Sequence, residues 1–216
     1  MVLLSLLGCS EANIKYDREI KTYKFEKAPK KIALGVVYFS DSRSELDRLG
    51  IDENKENRTI RKSVTKMAEE MLLSHGAFSS VSIISGFELP EFYDPNALEK
   101  FKKTYDVDYV LGGEIVEAKL VKVDKRSSLG YKTKVFLSFG IVPTSYYYVA
   151  RVKLRGKLVS LTDGKVVWQG EGKSYFIQGT KFYKSENVFI ASIHNALGEM
   201  LSKMSKVFSL DVKEIE

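Results

Sequence analysis

Apolar residues recur along this chain with distinct rhythms, and each rhythm predicts an element. Ile60, Val64, Met67, Ala68, Met71 and Leu72 are spaced by threes and fours, so they share one face of a helix running to about His75. Arg61, Lys62, Lys66, Glu69 and Glu70 occupy the rest of it. Asn57 or Thr59 is its expected N-cap, and Gly76 suits the left-handed stop position. Asp94-Pro95 opens a shorter helix to about Tyr105, with aspartate at the N-cap, proline at the first turn and Leu98, Phe101 and Lys102 on the inward edge. Ser185 caps a final helix to about Lys206, whose stripe is Val188, Phe189, Ile193, Ala196, Leu197, Met200, Leu201 and Met204.

The strands have a different signature. Lys31 to Phe39 (KIALGVVYF) has almost no polar position, as expected of a central strand buried on both faces. The polar run from Asp41 to Asn57 reads as a solvated loop. Phe78 to Ser85 predicts a short strand and Val107 to Val123 a long one. Gly112-Gly113 inside the long strand permits a bulge or a close crossing of another backbone. Lys21 to Phe25 alternates enough to add an edge strand, and Val207 to Val212 can form one more.

The clearest hairpin lies between them. Val152, Leu154, Gly156 and Leu158 alternate with Arg151, Lys153, Arg155 and Lys157 before Thr162-Asp163-Gly164; Val166, Trp168 and Gly170 alternate with Val167, Gln169 and Glu171 after it. A two-residue turn would place Leu158 opposite Gln169 and mix the faces. A three-residue loop with Gly164 as the bulge places Leu158 opposite Trp168 and Arg155 opposite Glu171, which keeps the apolar face intact. That register puts Trp168 in the core and a stripe of four cations on the outer face. The stripe is either a solvated face that discourages sheet pairing or a contact surface for an acidic partner or headgroups.

Tyr131 to Val149 (YKTKVFLSFGIVPTSYYYV) is apolar and aromatic, broken by Gly140 and Pro143. It reads as strand, turn and strand within the core, or as a partly exposed patch for a partner or the membrane interface. The candidate partner-binding residues are therefore Tyr146, Tyr147, Tyr148, Arg151, Lys153, Arg155 and Lys157.

The chain has 216 residues, 44% of them hydrophobic, a net charge of +6 and no run long and apolar enough for a transmembrane helix. It has only two histidines, His75 and His194, placed in separate helices, and a single cysteine. No Cys/His metal spacing, Gly-x-Ser-x-Gly elbow or phosphate-binding glycine pattern occurs. Carboxylate pairs such as Glu69-Glu70 fall on solvated helical positions. No catalytic residue, metal site or cofactor is expected, and the chain is read as not an enzyme.

The cysteine ends an apolar run at Leu6-Leu7-Gly8-Cys9, which resembles a bacterial lipobox. The resemblance implies residues 1–8 as a remnant signal peptide, acylation of Cys9, a lipidated tether over 9–30 and one globular domain over 31–212. Ser10 stands where inner-membrane retention usually has aspartate, so the likeness favours the periplasmic face of the outer membrane. Export also removes nucleic acid as a partner for the positive charge. The remaining order, with Gly76 to Val81, Asp108-Tyr109-Val110-Leu111-Gly112-Gly113-Glu114-Ile115 and Asp163-Gly164-Lys165-Val166-Val167-Trp168, resembles periplasmic lipoproteins with the TolB N-terminal-domain fold, the CsgG and LpoB group. This implies an α/β (α+β) single-domain sandwich: a mixed sheet with helices against it, a C-terminal antiparallel hairpin and a final helix. It also implies a non-catalytic, protein-binding accessory subunit of the envelope. The alternatives are a lipid or small apolar ligand carrier, with a pocket lined by 131–149, and a secretion-channel subunit, for which one interrupted stretch is too little membrane hairpin. Nothing in the sequence sets an oligomeric state.

Overall fold

A computed structural model describes residues 16–25, 32–43, 55–74, 78–85, 95–124, 146–177, 185–208 and 212–215. In chain order the elements are β1 (Thr22–Phe25), β2 (Ala33–Val37), β3 (Ser40–Asp41), α1 (Lys55–Ser74), β4 (Ser80–Ile84), α2 (Pro95–Thr104), β5 (Tyr109–Asp124), β6 (Tyr146–Ser160), β7 (Val166–Ile177), α3 (Ser185–Ser205) and β8 (Val212–Ile215). The fold is α/β, a single domain built on one mixed sheet. Strands run in the order β4-β2-β5-β6-β7, and β3 adds to β5 beyond the end of β2. β4, β2 and β5 are parallel; β5, β6 and β7 form an antiparallel meander.

Burial follows the strand alternation. Leu34 and Val36 of β2, Leu111 and Ile115 of β5, and Leu154 and Leu158 of β6 face α1 and α3, which supply Val64, Ala68, Leu72, Leu197, Met200, Leu201 and Met204. Val37, Ile84, Val110 and Val159 point the other way, onto Phe101 of α2. The expected central strand is thus buried on both faces. The two crossovers put α1 on one face and α2 on the other. α2 is short and covers only one end of its face.

α3 packs hard against β7. A Cβ on Gly172 would come 2.0 Å from the Ala196 carbonyl oxygen, so only glycine lets the helix backbone sit there.

The β6–β7 hairpin has the expected register, with Leu158 opposite Trp168 and Arg155 opposite Glu171, but reaches it by a different route. The Ser160 amide donates to the Lys165 carbonyl and the Gly164 amide to the Ser160 carbonyl, leaving four residues in the loop, with Gly164 at φ +70°. That slips the pairing by one residue. A bulge between Leu158 and Val159 on one strand, opposite Trp168 and Val166 on the other, slips it back. Trp168 is half-buried rather than fully in the core, with its indole lying across Gly170 and Gly156.

Of the two readings of Gly112-Gly113, the close crossing holds, and the bulge in β5 falls between Ile115 and Glu117 instead. Those glycines pair regularly, and Gly113 serves close approach: its absent Cβ leaves room for the Phe39 ring and the Arg155 carbonyl. The start of the polar run after β2 is no solvated loop, because Ser40–Asp41 pairs with Glu114–Ile115 and Arg43 is buried. Lys21 to Phe25 does supply a strand, but β1 pairs with β8 in a separate two-stranded sheet.

Residues 16–25, expected within the tether, lie against the body. The Asp17 amide donates to the Tyr175 carbonyl and the Ile177 amide to the Asp17 carbonyl. Buried Asn195 of α3 accepts from the Lys21 amide and donates to the Glu19 carbonyl. Tyr23 is buried over Gly198. We call this segment the strap.

Candidate functional site

β6 presents its cations on the sheet face that α2 leaves uncovered. Alternation puts Arg151, Lys153, Arg155 and Lys157 there, with Lys119, Glu117 and Glu114 from β5 and Lys173 and Glu171 from β7. Arg155 is the hub. Its Nη2 lies 3.1 Å from Glu171 Oε1 and its Nη1 lies 3.5 Å from Glu114 Oε2. Lys153 Nζ reaches the second Glu171 oxygen at 3.0 Å. The hydrogen bond from Lys153, helped by Arg155, holds the Glu171 carboxyl below its usual range. The carboxylate stays ionised and clamps the two cations in place. These side chains are half-exposed, and cations outnumber carboxylates across the face. The result is a broad, ordered, positively charged surface.

The crevice where open α/β sheets hold ligands lies outside the carboxyl ends of parallel strands at a switch in winding direction. Here that position falls between β2 and β5, and the chain fills it with its own residues. Arg43 lies with its Nε 2.8 Å from Asp41 Oδ1 and its Nη2 2.7 Å from Asp41 Oδ2. Its Nη1 donates to the Ala118 carbonyl. Arg61 of α1 donates to the Phe39 carbonyl at 2.7 Å, and the buried Thr65 hydroxyl accepts from the Phe39 amide. Sequence pattern missed this plug, because a buried Arg–Asp pair reads as two loop residues.

The three tyrosines do not form one patch. β5 and β6 continue past the end of β7 as a two-stranded ribbon, with Lys122 opposite Tyr148 and Asp124 opposite Tyr146. Tyr146 and Tyr148 share the helix-covered side, their rings 5.7 Å apart edge to face, and Tyr148 packs toward Ala150 and Phe176. Tyr147 points to the opposite side, the side of the cations. Lys122 Nζ stands 4.0 Å from the Tyr146 ring centroid. Leu120, Val121 and Tyr146 are exposed.

His194 is half-buried on the flank of α3. Its Nδ1 has no hydrogen-bond partner among the described residues, and burial pushes its pKa down. Among the described residues no group of His, Cys, Asp and Glu could hold a metal ion. A shallow polar depression on α2 is lined by Asn96, Glu99, Lys103 and Thr104. Cys9, His75, Gly76, Asp94 and 125–145 lie outside the described residues, and with them most of the pocket expected over 131–149.

No family model matches the chain, and no curated protein is similar to it in sequence. Several solved structures share part of its chain path. The PelC dodecamer protein from Paraburkholderia phytofirmans is 16% identical, covering 84% of this chain and 96% of that one at a TM-score of 0.44. The hypothetical protein CT253 from Chlamydia trachomatis is 11% identical, with coverages of 83% and 98% and a TM-score of 0.46. The LpoB C-terminal domain from Salmonella enterica is 12% identical, with coverages of 71% and 88% and a TM-score of 0.32.

Proposed function

We propose that this protein is a non-catalytic envelope lipoprotein, anchored through Cys9 to the periplasmic face of the outer membrane, that docks an acidic protein partner on the cationic face of its sheet. The observation that carries the reading is the Lys153–Glu171–Arg155–Glu114 network. It holds long cationic side chains in fixed positions on a face that no helix among the described residues covers beyond α2 at one end, which suits recognition of a surface rather than of a small molecule. The plugged crevice between β2 and β5 supports the same reading, because the place where such sheets bind small ligands is taken up by Arg43 and Asp41. Tyr147 and the cations Arg151, Lys153, Arg155 and Lys157 make up the docking face; Tyr146 and Tyr148 stand apart from it.

The test is crosslinking and recovery of partners from intact membranes, comparing the native chain with Lys153→Glu/Lys157→Glu. Reversal of the charge should abolish recovery of a partner that the native chain captures, at unchanged circular dichroism. Equal recovery by the folded variant contradicts the docking face.

A further inference from the structure

Half of the described exposed large apolar side chains gather at one end of the molecule. Tyr146 sits on the ribbon, with Leu120 and Val121 at its root; Tyr16 begins the strap; Ile190 is near the start of α3, which packs over Tyr148 and Phe176. Lys122 lies over the Tyr146 ring, and Arg18 is exposed on the strap. Tyrosine, short aliphatics and long cationic side chains in one band are the composition of a bilayer interface layer.

The chain also enters the body at this end. Asp17 is hydrogen-bonded to Tyr175 and Ile177 at the end of β7, and Ile177 pairs with Val149, three residues from Tyr146. Three residues of strand span about 10 Å. From Cys9 to Asp17 there are eight residue steps, a reach of at most roughly 26–29 Å. The opposite end of the sheet lies farther away than that: from Phe176 to Val166 is ten residues of strand, roughly 33 Å, with the Gly164 loop beyond it. A body held at Cys9 therefore cannot stand on its hairpin loop. It can lower the ribbon onto the membrane with leash to spare.

We infer that the outer end of the β5–β6 ribbon rests in the headgroup layer of the bilayer, with Tyr146, Leu120 and Val121 in the interface and Lys122 on lipid phosphates. The inference rests on Cys9 being the anchor. The leash and the strap then set the orientation: ribbon down, with the cationic sheet face turned sideways and open to a partner. The occupant is a lipid surface, because the length and exit point of the leash bring a bilayer to this end whatever protein is present.

The geometry can be tested without relying on acylation in the cell. Unacylated full-length chain is coupled through its only cysteine to a maleimide lipid in vesicles of phosphatidylethanolamine and phosphatidylglycerol, with or without brominated acyl chains. The native chain reports Trp168, toward the far end of the sheet; Tyr146→Trp adds a reporter on the ribbon, and Val121→Trp is a second one should the first not fold. Brominated lipid should quench the added tryptophan more than twofold and leave Trp168 unchanged. Equal emission from the added tryptophan in both lipids overturns the proposal. The state of Cys9 in cells is read separately, from the mass of its peptide. An unmodified thiol there removes the natural anchor, whereas an unquenched ribbon on coupled vesicles removes the orientation.

Discussion

Gly172 of β7 lies directly under the Ala196 carbonyl of α3, so close that a methyl group on it would stand 2.0 Å from that oxygen. The obstacle is helix backbone, with the Met200 amide nitrogen at 2.8 Å as a second one, so no flexible side chain can move aside. Gly172→Ala should destabilise the fold by about 1–3 kcal/mol through overpacking. Urea unfolding checks this. Native stability in the variant would mean that α3 sits farther from the sheet.

The Arg43–Asp41 pair makes a contrasting prediction. The Arg43 side chain is 0% exposed and meets both carboxylate oxygens of Asp41. Removing one partner leaves an uncompensated buried charge, so Asp41→Asn should cost roughly 3–5 kcal/mol. Asp41→Asn combined with Arg43→Met should cost less than Asp41→Asn alone, because the stranded charge is gone. A double variant less stable than the single one would refute the plug as a charge-compensated unit.

The strap hangs on Asn195, which is 2% exposed and binds the strap at the Lys21 amide and the Glu19 carbonyl. Asn195→Ala leaves both groups unpaired, at about 1–3 kcal/mol for a buried group that loses its partner. Hydrogen exchange at the Lys21 amide should accelerate well before exchange in the β5–β6 core. Unchanged exchange at Lys21 would show that the strap is held by its other contacts.

His194 sets a pH dependence. Burial lowers its pKa below the ordinary 6.5, so the unfolded chain binds a proton at a pH where the folded chain does not. Its contribution to stability is complete above 6.5 and is lost as pH falls from there through the folded value. Stability should decline over that range, and His194→Gln should flatten the decline. Glu171 has the same sign at lower pH: its lowered pKa adds stability above its ordinary 4.5, lost as pH falls through the folded value. Its partial exposure and salt screening keep that effect small.

Long periodic elements were legible in the sequence. The stripes of α1 and α3 and the two-sided burial of β2 follow from spacing alone, and the register of the β6–β7 hairpin follows from keeping Leu158 and Trp168 on one face. What escaped was geometry with no periodic trace. A four-residue loop plus a bulge gives the same register as a three-residue loop, so pattern could not separate them. Arg43 and Asp41 are loop-like by residue type and buried only because each neutralises the other. Tyr146, Tyr147 and Tyr148 read as one cluster along the chain, yet strand alternation divides them between two faces. The strap looked like tether because backbone hydrogen bonds, rather than an apolar pattern, fasten Asp17.

The docking face and the ribbon orientation both rest on the proposed anchor at Cys9, and mass spectrometry of the Cys9-containing peptide from separated membrane and soluble fractions tests it most directly. The native chain should be found with the membranes, its peptide carrying acyl mass on Cys9, while Cys9→Ser should move to the soluble fraction. A native chain found soluble with an unmodified Cys9 thiol contradicts the account.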